Sequence, residues 1–124
     1  MKKASVLVVE DHPDTRNLLT GLLQMYGYEV TPAKDGAIAW QLLESTRPDI
    51  VVTDLTMPHV SGFELIRHIK EKEADQLRRI PVVAMSAFGN ECLSDAQKAG
   101  ASQTLRKPFD AEELAGLINQ VLAA

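Results

Sequence analysis

Apolar residues occur along this chain in two kinds of run. Short blocks, Ser5 to Val9, Tyr28 to Thr31, Asp49 to Thr53, Ile80 to Met85 and Ala101 to Leu105, are bounded by polar or turn-forming residues and predict five strands. Between them, Leu18, Leu19, Leu22, Leu23 and Tyr26 recur at helical spacing, as do Ile38, Leu42 and Leu43, then Phe63, Ile66 and Ile69. The last stretch repeats the pattern with Leu114, Leu117, Ile118, Val121 and Leu122. A further helical stretch, Cys92 to Ala99, has only Leu93 and alanines to bury and is expected to be the least firmly anchored. Helix starts carry their own signals. Pro13 suits a first helical position, Ser61 to Glu64 and Asp110 to Glu113 have capping-box spacing, and Asp35 and Asn90 suit caps. Gly27, Gly36, Gly62 and Gly100 mark the joins.

Strict alternation of strand and helix implies parallel strands with right-handed crossovers, and so an α/β sandwich with helices on both faces. Strands covered on both faces read as continuous apolar runs, as the first, third and fourth do, whereas the second and fifth are mixed and belong at the edges. The order 2-1-3-4-5 places those two mixed strands at the edges, and the expected fold is a flavodoxin-like doubly wound (βα)5 sandwich of that order. In that arrangement ligands sit beyond the carboxyl ends of the strands, near the order reversal between strands one and three.

Composition narrows the class. The 124 residues are expected to form one domain over 1–124, with no room for an effector, and 45% hydrophobic with 24% charged residues is globular rather than disordered. Net charge is −4, the wrong sign for direct nucleic-acid binding or for an anionic membrane surface. No apolar stretch approaches the roughly 18 residues of a membrane span. The single cysteine, Cys92, has no partner for a disulfide or a zinc site, so a cytoplasmic location is expected.

The candidate chemistry lies where the strands end. The first strand runs into Glu10 and Asp11, the third into Asp54, the fourth into Ser86 and the fifth into Arg106-Lys107-Pro108. A parallel sheet carries all these ends to one edge. Taken singly, Asp11 could begin a helix, Asp54 could be a turn residue, Ser86 could be structural and Lys107 a solvated charge. Together they bring three carboxylates, a hydroxyl and an ammonium to one crevice. Carboxylates at close quarters repel, and a hard divalent ion with oxygen ligands relieves that cost. Mg2+ fits best, because it takes one or two carboxylates, keeps several waters and accepts a phosphate oxygen. Lys107 can neutralise a second phosphate oxygen and Ser86 can hydrogen-bond a third. No glycine-rich nucleotide loop is present, so this is a phosphoryl site without a nucleotide cradle.

Glu10-Asp11, Asp54-Leu-Thr-Met-Pro-His-Val-Ser-Gly62, Ser86-Ala87 and Lys107-Pro-Phe109, each after an apolar strand and in this order, resemble the receiver domain of two-component response regulators. The resemblance covers Ser5 to Leu122. It implies that Asp54 is the phosphoacceptor, taking a phosphoryl group from the phosphohistidine of a sensor histidine kinase or a histidine phosphotransfer protein. It further implies Mg2+ ligation by Asp11, Asp54 and the Thr56 carbonyl, with Glu10 acting through coordinated water. Lys107 would pair with the phosphoryl group, Ser86 would swing onto it, and Pro108 would follow a cis peptide bond. The implied role is a switch read by a downstream effector, monomeric or weakly dimeric on phosphorylation, with no catalysis beyond its own phosphorylation and dephosphorylation.

Two positions bear on how such a switch works. Most receivers carry Tyr or Phe three residues before the site lysine, where this chain has Thr104, so a reduced or different rearrangement is expected. Phe88, two residues past Ser86, is expected to shield an aspartyl phosphate from water. Two other classes remain open at this point. A haloacid dehalogenase-type phosphohydrolase also uses a strand-end aspartate, Mg2+ and a lysine, but needs a second aspartate where this chain has Thr56. A degenerate receiver would bind partners without phosphorylation.

Overall fold

A computed structural model describes residues 3–57, 60–76, 79–87 and 90–123. Strand and helix alternate throughout: β1 (Ser5–Val9), α1 (Pro13–Met25), β2 (Glu29–Ala33), α2 (Gly36–Thr46), β3 (Ile50–Asp54), α3 (Gly62–Gln76), β4 (Val82–Ser86), α4 (Asn90–Ala99), β5 (Gln103–Arg106) and α5 (Ala111–Ala123). The strands form one parallel sheet in the order β2-β1-β3-β4-β5, as the apolar runs predict. Pro32, which cannot donate to a ladder, sits on the edge strand β2, where one side needs no donor.

The two-residue period of the strands splits the core into two layers. Val6, Val8, Ile50, Val52, Val83 and Met85 point to one side and pack with Leu19 and Leu23 of α1 and Leu114 and Ile118 of α5. Leu7, Val9, Val51, Val82 and Ala84 point to the other, against Ala39 and Leu43 of α2, Leu65, Ile66 and Ile69 of α3, and Ala96 of α4. Each large aliphatic side chain so buried contributes about 1.5–3 kcal/mol. Helix α4 contributes fully buried Ala96 and half-buried Cys92 and Leu93, which agrees with its expected weak anchoring.

Boundaries differ from the apolar blocks in one consistent way: β2 to β5 all begin later than their blocks and run further. Asp54 pairs with Met85 and Ser86 with Arg106, so these polar residues are the last rungs of the ladder rather than the first residues beyond it. Backbone pairing is indifferent to side-chain polarity and continues while a neighbouring strand remains. The expected caps at Asp35, Ser61 and Asp110 are present, with Asp35 accepting from the Ile38 amide at 2.9 Å, Ser61 from Glu64 at 3.2 Å and Asp110 from Glu113 at 2.8 Å. Asn90 is instead the first residue of α4. The cap of α1 is His12, whose Nδ1 accepts from the Thr15 amide at 3.4 Å. Gly27 and Gly100 turn the chain with φ of 93° and 124°, which other residues adopt only under strain.

Between α2 and α3 the single tryptophan, Trp40, stacks on His68 with ring centroids 3.6 Å apart. His68 is buried, and its Nε2 has no hydrogen-bond partner among the described residues. Among those residues no helix is long and apolar enough to cross a membrane.

Candidate functional site

The sheet delivers Glu10, Asp54 and Lys107 to one point. Glu10 follows β1 directly, and its amide still pairs with the Ala33 carbonyl at 3.1 Å, so its backbone is held by the edge of the sheet. Its carboxylate is almost wholly buried, at 1% exposure, a position an acid takes only with a partner. Lys107 supplies one. Its Nζ donates to Glu10 Oε1 at 2.6 Å and to Asp54 Oδ2 at 3.4 Å. The second Glu10 oxygen accepts from the His12 amide at 3.2 Å.

Burial pulls the Lys107 ammonium down, but the hydrogen bond to Glu10 and the charge of Asp54 outweigh it and hold its pKa above the usual lysine value. Lys107 is reached by β5, its amide donating to the Ser86 carbonyl at 2.9 Å, and the bond to Pro108 is cis.

Asp11 is the exposed member of the acidic group. One carboxylate oxygen from each of Glu10, Asp11 and Asp54 lies within 4.8 Å of the others. Three hard oxygen donors, two buried and one open to solvent, suit a cation that takes carboxylates and retains water, which is the chemistry of Mg2+. Thr56, expected to contribute its carbonyl, is exposed and donates its amide to Asp54 Oδ1 at 3.4 Å. Ser86 is buried at the end of β4, and its hydroxyl contacts Cys92 Sγ at 3.7 Å.

The start of α3 approaches the backbone of Asp54 and Leu55 closely. The Gly62 amide donates to the Leu55 carbonyl at 3.1 Å, and a Cβ at Gly62 would lie 2.4 Å from the Asp54 carbonyl oxygen. Any side chain there would force the two backbones apart, so Gly62 sets how closely the start of α3 approaches Asp54 and is more than a join. Sequence reading missed three supports: the His12 amide on Glu10, the Gly62 approach, and Arg16, whose guanidinium reaches back to the carbonyls of Glu10 and Asp11. The run from Glu10 to Arg16 carries no periodic signal for such contacts, because each depends on how α1 leaves the sheet.

Thr104 lies half-buried on the edge strand β5. With Glu112, Glu113, Gly116, Leu117 and Gln120 it lines an open recess of about 530 Å³ between β5 and α5. Phe88 lies outside the described residues.

Comparison with known proteins agrees with this geometry. Residues 6–119 match the family described as the response regulator receiver domain. The chain is 34% identical to protein PilH of Pseudomonas aeruginosa, with 97% of this chain and 98% of PilH covered. It is 36% identical to the DNA-binding transcriptional regulator NtrC of Rhizobium meliloti over 99% of this chain, but spans only 25% of NtrC. Among solved structures, the receiver domain of sensor histidine kinase PA1611 from Pseudomonas aeruginosa superposes with a TM-score of 0.89 at 28% identity, covering 99% of this chain and 100% of that one. That structure holds a magnesium ion coordinated in its active-site cleft. The chain belongs to the receiver domain family of two-component response regulators, a signalling family, and shares its flavodoxin-like fold.

Proposed function

We propose that Asp54 is the phosphoacceptor of this receiver, and that residues 1–124 act as one phosphoryl-receiving unit. A carboxylate oxygen of Asp54 attacks the phosphorus of a phosphohistidine on a sensor histidine kinase or histidine phosphotransfer protein. The P–N bond breaks, its electron pair stays on the imidazole nitrogen, and an aspartyl phosphate remains. Such a transfer demands positioning and charge neutralisation more than a protein base. The observation that carries the reading is the meeting of Asp54, Glu10 and Lys107 at the ends of three strands, with Lys107 Nζ 3.4 Å from the acceptor carboxylate.

Glu10, Asp11, Asp54 and the Thr56 carbonyl would hold Mg2+, which when bound offsets the negative charge of the phosphoryl oxygens. Lys107 orients and neutralises the transferred group, as its contact with Asp54 already prefigures. Ser86, buried at the end of β4, hydrogen-bonds the phosphoryl group once it arrives. The added charge of about −1.5 to −2 then shifts a two-state equilibrium read by a downstream effector protein or domain. The protein works in the cytoplasm as a monomer or weak phosphorylation-dependent dimer, and its chemistry is confined to its own phosphorylation and dephosphorylation. Incubation with acetyl phosphate and Mg2+ followed by intact-mass measurement tests this. One phosphoryl adduct is expected, absent without Mg2+ and absent in Asp54→Ala. An adduct that survives in Asp54→Ala would overturn the assignment.

A further inference from the structure

Arg16 occupies the first turn of α1, where the helix macrodipole disfavours a cation and favours an acid such as the neighbouring Asp14. Its guanidinium nevertheless turns back toward the start of the helix. Nη1 donates to the Glu10 carbonyl at 3.1 Å and, over a longer 3.5 Å, to the Asp11 carbonyl. Strand β1 ends at Val9, so these two carbonyls lie past the strand, where the chain turns sharply into α1. One guanidinium nitrogen thus ties together the carbonyls of two successive peptide units, the one that joins the two acids and the one that follows Asp11.

We propose that Arg16 is a positioning residue for the acidic trio, holding the backbone of Glu10 and Asp11 so that the Asp11 carboxylate is preset to meet a cation together with Asp54. The inference rests on the Mg2+ reading above. Glu10 needs little help, since its carboxylate is already held by Lys107 and the His12 amide. Asp11 is different. It is exposed and sits in the bend between β1 and α1, so its orientation depends on its backbone. Residues that orient ligands without touching the metal typically change affinity by about 10–100-fold when removed.

The test separates position from charge by sign. Removing a cation near three carboxylates should, by electrostatics alone, tighten Mg2+ binding; removing a positioning group should weaken it. Mg2+ is titrated into the wild-type chain, Arg16→Ala and Arg16→Lys at constant ionic strength, following the amide NMR shifts of Asp11, His12 and Asp54. Urea unfolding establishes that each variant is folded. We expect about tenfold weaker binding in Arg16→Ala. Arg16→Lys should be weakened as well, because its ammonium keeps the charge but ends one atom short of the Arg16 Nη1 that reaches both carbonyls. Arg16→Lys also carries the test if the alanine variant does not fold. Unchanged or tighter binding in Arg16→Ala, or full affinity in Arg16→Lys, would overturn the proposal. Absence of Mg2+ binding by the wild-type chain would instead overturn the metal reading on which it rests.

Discussion

Replacing Gly62 by alanine tests whether the acceptor is held by backbone contact. A Cβ there would stand 2.4 Å from the Asp54 carbonyl oxygen and 2.7 Å from the Leu55 Cα. Carbon atoms pack best at about 3.5–4.0 Å, so the start of α3 must retreat from β3 by roughly 1 Å. Both obstacles are backbone atoms and cannot swing aside as a side chain would. Overpacking of this kind costs about 1–3 kcal/mol, and the rigid neighbours put Gly62→Ala at the upper end. An alanine in a helix is otherwise better than glycine by up to about 1 kcal/mol, which offsets part of the loss. The net expectation is about 2 kcal/mol, or a fall in Tm of roughly 5–10 °C for a domain of this size. Urea unfolding followed by circular dichroism measures it. Gly21→Ala and Gly116→Ala are the controls: nothing lies within 4 Å of a Cβ at either position. Each should gain about 0.5–1 kcal/mol. Because Asp54 moves with its carbonyl, Gly62→Ala should also slow phosphorylation by acetyl phosphate by up to about a hundredfold. A variant as stable and as reactive as the wild type would refute the close-approach reasoning.

Other changes address single groups. Lys107→Ala removes the cation shared by Glu10 and Asp54 and should cost about 2 kcal/mol in chelator-containing buffer at neutral pH. Its folded pKa is raised, so its contribution is complete below 10.5 and is lost only as pH climbs through the higher folded value. Added Mg2+ should recover part of the loss, and no destabilisation in chelator would contradict the contacts. His68 is held below the usual histidine value by burial first and by Lys72 second, with Glu71 and Glu44 opposing. The unfolded chain then takes up the proton first as pH falls below 6.5. Stability should therefore decline between 6.5 and the lower folded pKa, then level off for this group. His68→Phe, which keeps the stack on Trp40, should flatten that part of the urea midpoint against pH. An unchanged slope would place the proton uptake elsewhere.

Much of this molecule is legible from residue order. Val6 to Val9 and Ile80 to Met85 call for cover on both faces, because apolar side chains on alternate sides of a strand cannot both meet water cheaply, and Tyr28 to Thr31, with its mixed residues, suits an edge. That reasoning is met by the order 2-1-3-4-5, and parallel strands carry Glu10, Asp11, Asp54, Ser86 and Lys107 to one edge. Residue type at a strand end is a one-dimensional property, and it survives without coordinates.

What the chain order could not supply is which of these groups touch. Lys107 is 97 residues from Glu10 and 53 from Asp54, yet it binds both, with the shorter contact to Glu10. That choice depends on strand register and on the direction in which each chain leaves the sheet. The same holds for His12 as the cap of α1, for Arg16 on two carbonyls, for Gly62 against the acceptor backbone and for Trp40 on His68. Residue order was enough for the periodicities, for which strands suit the middle and the edges of the sheet, and for the kinds of groups gathered at its carboxyl edge. Tertiary structure alone decided their pairing, because hydrogen bonds and ion pairs act over a few ångströms, and only the packed sheet brings residues so distant in the chain to that range.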